Sequence, residues 1–72
     1  MKTEAEIIRY LKEKVNEGQV YFKSKYIAKD LDEKPKRIGQ ILFALSQKKR
    51  VSGMNIAPWS CTFSITWRVV KV

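Results

Sequence analysis

KPKRIGQILFALSQ, residues 34–47, sets Ile38, Ile41, Leu42 and Leu45 at three- and four-residue spacing. That spacing gathers them on one side of a helix and leaves Lys36, Gln40, Phe43 and Gln47 on the opposite side. One side is suited to packing and the other to contact. Pro35 suits a first helical position, because the N–H it lacks would have no intrahelical partner there. The polar connection from Leu31 to Lys34 is too short for anything but a tight turn, so a second helix should precede this one. Charge divides at the same point. Met1 to Glu33 holds seven Lys/Arg and seven Asp/Glu, whereas Lys34 to Val72 holds eight Lys/Arg and no acid. The whole excess of +8 therefore arises from this helix onward.

A chain of 72 residues is one small domain, and domains near this size bury only about 60% of their unfolded surface. At 44% hydrophobic and 31% charged residues, the composition is that of a folded domain with one core, free of repeats and low-complexity tracts. No apolar run approaches the roughly 20 residues needed to span a bilayer, and the mixed-charge N-terminus lacks the hydrophobic centre of a signal peptide. A cytoplasmic protein without a membrane partner is expected. Cys61 is the single cysteine and there is no histidine, so neither an intramolecular disulfide nor an ordinary zinc site can be assembled. Every carboxylate lies in the first 33 residues among lysines, with no apolar pocket implied around any of them. Catalysis, cofactors, metals and small-molecule ligands are not indicated.

Outward from the central helix the chain reads in order. Thr3 with Glu6 forms a capping-box signature, and Ile7, Ile8, Leu11 and Val15 carry a first helix that stops before Gly18. Its polar side mixes signs (Glu4, Arg9, Lys12, Glu13, Lys14, Glu17), as a solvated surface does. Gln19 to Lys23 has the character of a very short strand, and Ser24 can cap a second helix from about Lys25 to Leu31, with Ile27, Ala28 and Leu31 inward. Two strands follow, Arg50–Ile56 and Thr62–Val72, joined through Ala57–Cys61 with Pro58 in the connection. In the last strand Phe63, Ile65, Trp67 and Val69 alternate with Ser64, Thr66, Arg68 and Val70, which predicts a sheet covered on one face only. The expected fold is α+β, in the order α-β-α-α-β-β.

Ile27-Ala28-x-x-Leu31-x-x-x-Pro35-x-x-Ile38-x-x-x-Leu42-x-x-Leu45 resembles the helix-turn-helix of winged-helix DNA-binding domains, and the closing Ile65-Thr66-Trp67-Arg68-Val69 resembles the last strand of small archaeal winged-helix proteins. The resemblance covers nearly the whole chain. It implies a third helix, residues 35 to 47, lying in the DNA major groove, with the following hairpin as the wing. The sequence departs from the pattern at Asp32, where many such turns carry Gly, at Lys34, where a Ser or Thr cap is common, and at Lys49 or Arg50, where Gly often ends the third helix. The expected wing tip, Ala57–Cys61, has no basic residue. A local likeness to the third helix of left-handed-DNA-binding winged helices lacks that family's Asn and Tyr, since Gly39 and Phe43 stand at those positions, so its specificity is not implied. With abundant Lys and absent His, the resemblance of the wing implies by analogy an archaeal or archaeal-virus host.

For a helix in a major groove, residues with forked or amide donors read bases best, which selects Arg37 and Gln40 as base contacts. Lys34, Lys36, Gln47 and Lys48 are expected to meet phosphate, as are Ser24, Lys25 and Tyr26 at the start of the second helix, where free N–H groups and the helix dipole favour an anion. Ordinary capping by Ser24 is compatible with that role. Arg50 and Arg68 are expected to flank the wing or simply to discourage edge pairing. Phe43 and Trp59 stand out as poorly explained by the core. Phe43 suits a thymine methyl, a partner surface or partial cover by the wing; Trp59 suits a dimer contact or a fold-back against the domain. Cys61 reads as a small filler.

The sequence thus predicts a sequence-specific double-stranded DNA-binding regulator, homodimeric on two half-sites. Neutralising about five phosphates per protomer would give a slope of log K against log salt near −4.5. The competing readings are a protein-docking module anchored by Phe43 and Trp59, and a nonspecific coat on nucleoid DNA.

Overall fold

The computed structural model describes residues 3–48, 50–61 and 65–72; Lys49, Thr62, Phe63, Ser64 and the Cys61 side chain, to which some of the expectations above refer, lie outside the described residues. The elements run α1 (Glu4–Asn16), β1 (Tyr21–Lys23), α2 (Ser24–Leu31), α3 (Pro35–Ser46), β2 (Met54–Cys61) and β3 (Ile65–Lys71). This is a small α+β fold, with the described helices packed beside an antiparallel sheet of strand order β1-β3-β2.

Local chemistry accounts for most boundaries. Thr3 is extended and its Oγ1 accepts the Glu6 N–H at 3.3 Å, while Glu4 and Glu6 place negative charge at the positive end of the α1 dipole. Gly18 ends that segment at φ +99°, a region Cβ sterics deny most residues. Ser24 is not the cap of α2. Lys23 occupies the cap position and its side chain makes no capping bond to the helix, and Ser24 is the first helical residue, because the chain leaves β1 directly into the helix. At the other end of α2, Asp32 takes the left-handed conformation (φ 53°, ψ 52°) that Gly would hold more easily, and the Glu33 N–H donates to Ala28 O at 2.9 Å.

The hairpin lies further along the chain than the sequence predicts. Residues 50–53 form no strand. Ser52 (φ 50°) and Gly53 (φ 77°) turn the chain, and the reciprocal Val51–Met54 hydrogen bonds hold Val51 against the core. The segment Ala57–Cys61, expected as a connection, belongs to β2 and pairs with β3 from Ala57↔Arg68 to Cys61↔Ile65. Pro58 is accommodated because β2 is an edge strand, and the register breaks between Pro58 and Ser60, leaving Trp59 as a bulge. The β2–β3 ladder therefore runs on as far as the pair Cys61↔Ile65.

Ile7 and Leu11 of α1, Ile27 of α2, Ile38, Leu42 and Leu45 of α3, and Met54, Ile56, Trp67 and Val69 of the hairpin bury almost completely into one core. The helices cover one face of the sheet. On the other, Tyr21 and Arg68 pair across β1 and β3 and point away from the core, flanked by the buried Phe22, Trp67 and Val69. No helix among the described residues is long and apolar enough to cross a membrane.

Helix α1 is tied to α2 by Tyr10, whose hydroxyl donates to Asp30 Oδ2 at 2.5 Å. Partial burial, and then this bond, raise the Tyr10 pKa well above the usual phenol range. A phenol that ionises later in the folded than in the unfolded chain contributes stability that is fully present below about pH 10 and fades as pH climbs toward the raised folded value. Urea titrations between neutrality and about pH 11 should show this loss, and Tyr10→Phe should remove its share of the slope.

Candidate nucleic-acid interface

The exposed side of α3 is set by the periodicity that buries Ile38, Leu42 and Leu45. Lys36, Gln40, Phe43 and Gln47 are all exposed, with Phe43 58% accessible. Beside this face an open groove of about 480 Å³ runs between α3 and its neighbours. Lys36, Gln40 and Phe43 form one wall, Ile65 and Trp67 of β3 form another, and Ser24 closes the end at the first turn of α2. None of these lining residues is acidic. Phe43 is thus neither core nor covered by the hairpin.

Gly39 faces α2 here, but the packing does not require a glycine: a Cβ built on it would stand 3.5 Å from Ser24 Oγ, an ordinary contact. Gly39→Ala should therefore stabilise the domain by roughly 0.5–1 kcal/mol, the usual gain for removing a mid-helix glycine, as measured by thermal unfolding. The indole nitrogen of Trp67 is buried and has no hydrogen-bond partner among the described residues. Among the described residues, then, nothing satisfies this donor in the wall of the groove, a state that typically costs about 1–3 kcal/mol.

Next to Ser24, Lys25 and Tyr26 are exposed on the first turn of α2, with the ammonium 5.1 Å from the ring centroid. Lys34, at the N-cap of α3, is exposed as well. Of the candidates, Ser24, Lys36, Gln40 and Phe43 line the groove together, whereas Lys25 follows Ser24 on the first turn of α2, Tyr26 lines a separate pocket with Tyr10 and Tyr21, and Lys34 precedes α3.

Other candidates are placed differently. Arg37 was selected as a base reader, yet it borders the exposed face and its Nε lies 3.4 Å from Glu33 Oε2, whose side chain is only 8% exposed. Glu33 Oε1 also accepts the Lys34 N–H at 3.0 Å. This arrangement assigns Arg37 to bracing the α2–α3 turn, and reaching a base would break the pair. Arg37→Ala should cost about 1–2 kcal/mol in urea denaturation, since it deprives a nearly buried carboxylate of its cation, while Lys36→Ala should cost under about 0.5 kcal/mol. The i, i+4 spacing of Glu33 and Arg37 was the signal that could have shown this.

Lys48 lies at the far end of α3, its Nζ 3.4 Å from Glu4 Oε1 on α1. Arg50 sits outside both strands at the base of the hairpin, and Arg68 projects from the middle of β3. Neither lines the groove beside α3. Trp59 is likewise not at a turn: its ring centroid is 5.5 Å from that of Tyr21 and 5.3 Å from the Arg68 guanidinium carbon, on the sheet face away from the helices. Phe43 and Trp59 thus occupy separate surfaces and do not form a single anchor. The cations of the second half are spread over several faces, and those at the groove are fewer than their count along the chain implies.

A family model extends over residues 1–71. The chain belongs to the DUF7123 family, described as a domain of unknown function. No curated protein and no solved structure matches it. Function is therefore argued from the groove and its surroundings.

Proposed function

We propose that this DUF7123 domain is a sequence-specific double-stranded DNA-binding protein of the winged-helix type, a transcriptional regulator associated with the nucleoid in the cytoplasm. In this reading α3 enters the major groove. The observation that carries it is the convergence of an exposed helix face bearing Lys36 and Gln40 with Ser24 on the first turn of α2, around a groove lined without carboxylates.

Gln40 is the base reader, able to match adenine through its amide for about 1–3 kcal/mol of discrimination. Phe43, one turn further along, supplies an apolar contact of the kind a thymine methyl takes. Lys25, Lys34 and Lys36 meet phosphate, and the N–H groups of Ser24 and its neighbours add the dipole of α2. With Lys25, Lys34 and Lys36 each neutralising one phosphate, the slope of log K against log salt should lie near −2.7 per protomer, shallower than the total charge suggests. So small a module offers limited contact area, so it acts as a homodimer on paired half-sites. Selection of bound duplexes from a random pool at two salt concentrations tests the reading. It predicts an enriched motif of two spaced half-sites that persists at the higher salt. An unenriched pool with salt-sensitive retention would mean a nonspecific coat, and no retention at either salt would end the DNA-binding reading.

A further inference from the structure

The sheet face opposite the helices carries a second cluster of chemistry. Tyr21 on β1, Arg68 on β3 and Trp59 at the β2 bulge meet across all three strands of the sheet, with ring centroids 5.5 Å apart and the Arg68 guanidinium carbon 5.3 Å from the centre of the Trp59 ring. Burial does not explain them. Tyr21 remains 50% exposed and Trp59 57% exposed, whereas the apolar residues facing the helices are sealed. The bulge removes Trp59 from strand pairing while β3 continues beneath it, a device that re-aims a side chain without ending the sheet. Lys23 lies on the same face, two residues from Tyr21, and none of the strands β1, β2 and β3 carries an acid.

We infer that this face binds single-stranded nucleic acid, with unpaired bases stacked on Trp59 and Tyr21 and the backbone held by Arg68 and Lys23. Aromatic rings on a rigid sheet beside cations provide the two things a single strand needs, a π surface for any base and positive charge for phosphate. Charge complementarity selects this occupant over a second copy of the chain. A two-fold contact through this face would bring the Arg68 and Lys23 of one copy against strands of the other that carry no carboxylate. The inference does not depend on α3 entering a duplex, because the two surfaces share no residue.

The test uses end-labelled thymidylate and uridylate strands of roughly twelve nucleotides, long enough for one sheet-sized site, titrated with the full chain and followed by fluorescence anisotropy. Trp59→Ala should weaken binding about tenfold, the size of one lost stacking contact, and Trp59→Phe should restore it to within about threefold of the native chain. Tyr21→Ala, a second exposed truncation, should weaken it by a similar factor. Lys36→Ala/Gln40→Ala should change it less than about twofold, because those residues lie on the other surface. Binding of either strand supports the inference, and the tighter of the two identifies DNA or RNA as the source of the unpaired bases. Failure of both strands to bind overturns it. So does native affinity in both Trp59→Ala and Tyr21→Ala, and so does an equal loss in the α3 double variant. If Trp59→Ala turns a dimer into a monomer in sedimentation without altering strand affinity, the face is a subunit interface and the inference is wrong. Duplex affinity measured on the same variants separates the two proposals, since it should fall in the α3 double variant and hold in Trp59→Ala.

Discussion

Replacing Lys25, Lys36 and Gln40 together by alanine should lower duplex affinity about a hundredfold or more near 0.1 M salt, while the domain remains folded. Each lysine that neutralises a phosphate contributes about 0.9 to the salt slope, hence close to a decade in affinity at that salt, and loss of the Gln40 amide adds the discrimination of one base pair. All three side chains are exposed, and none packs in the core or forms an ion pair that the structure describes, so circular dichroism and melting temperature should barely move. Electrophoretic mobility shift at several salt concentrations measures the effect. The variant's slope should be shallower by about 1.8, and affinity for the selected duplex should fall more than affinity for an unrelated one. An unchanged slope would place the phosphate contacts elsewhere. Arg37 is left out deliberately, because its loss acts on the fold through Glu33 and would mix stability with binding.

The largest effect on stability is expected from Leu42→Ala. Leu42 is fully buried in the middle of α3, and truncating a leucine at such a site removes its transfer free energy and leaves a cavity, for about 2–5 kcal/mol. A chain of this length has a total stability of only roughly 4–11 kcal/mol. The variant should therefore melt about 10–25 °C lower and be partly unfolded near physiological temperature. Calorimetry, or urea denaturation with circular dichroism, checks this. A loss below about 1 kcal/mol would mean that α3 is not seated in the core as described.

The spacing that predicts this burial also shows how much of the molecule is legible in one dimension. Ile7, Leu11, Ile27, Ala28, Ile38, Leu42 and Leu45 are inward where three- and four-residue spacing puts them, and Trp67 and Val69 where strand alternation puts them. Thr3, Gly18 and Pro35 mark helix ends through local sterics and hydrogen bonding, which act within a few residues and so appear in the sequence. The hairpin was misplaced because Pro58 resembles a turn residue. Only the identity of β2 as an edge strand makes proline acceptable there, and strand order is not a local property. In the same way the Lys48–Glu4 pair joins residues 44 positions apart, and the meeting of Tyr21, Trp59 and Arg68 depends on the register of all three strands of the sheet. No linear pattern announces such contacts. Charge segregation along the chain was legible, but its distribution in space was not, since Lys48, Arg50 and Arg68 do not line the groove beside α3.

Departures from local ideals concentrate between α2 and α3. Asp32 holds a left-handed conformation without being glycine, Lys34 caps α3 with no side-chain bond, and Gly39 interrupts a helix that alanine would favour. Each sacrifices a little stability, and Gly39 does so in the lining of the groove, a pattern more common at working surfaces than in scaffolds.

The most direct test of α3 as the duplex-reading element is backbone amide chemical-shift mapping of the labelled chain, titrated with the duplex obtained by selection. The account predicts the largest perturbations at Ser24, Lys25 and Tyr26 and along Lys36, Gly39, Gln40 and Phe43, with α1 nearly silent. Perturbations confined to α1 or to the outer face of the sheet, with α3 unaffected, would contradict it.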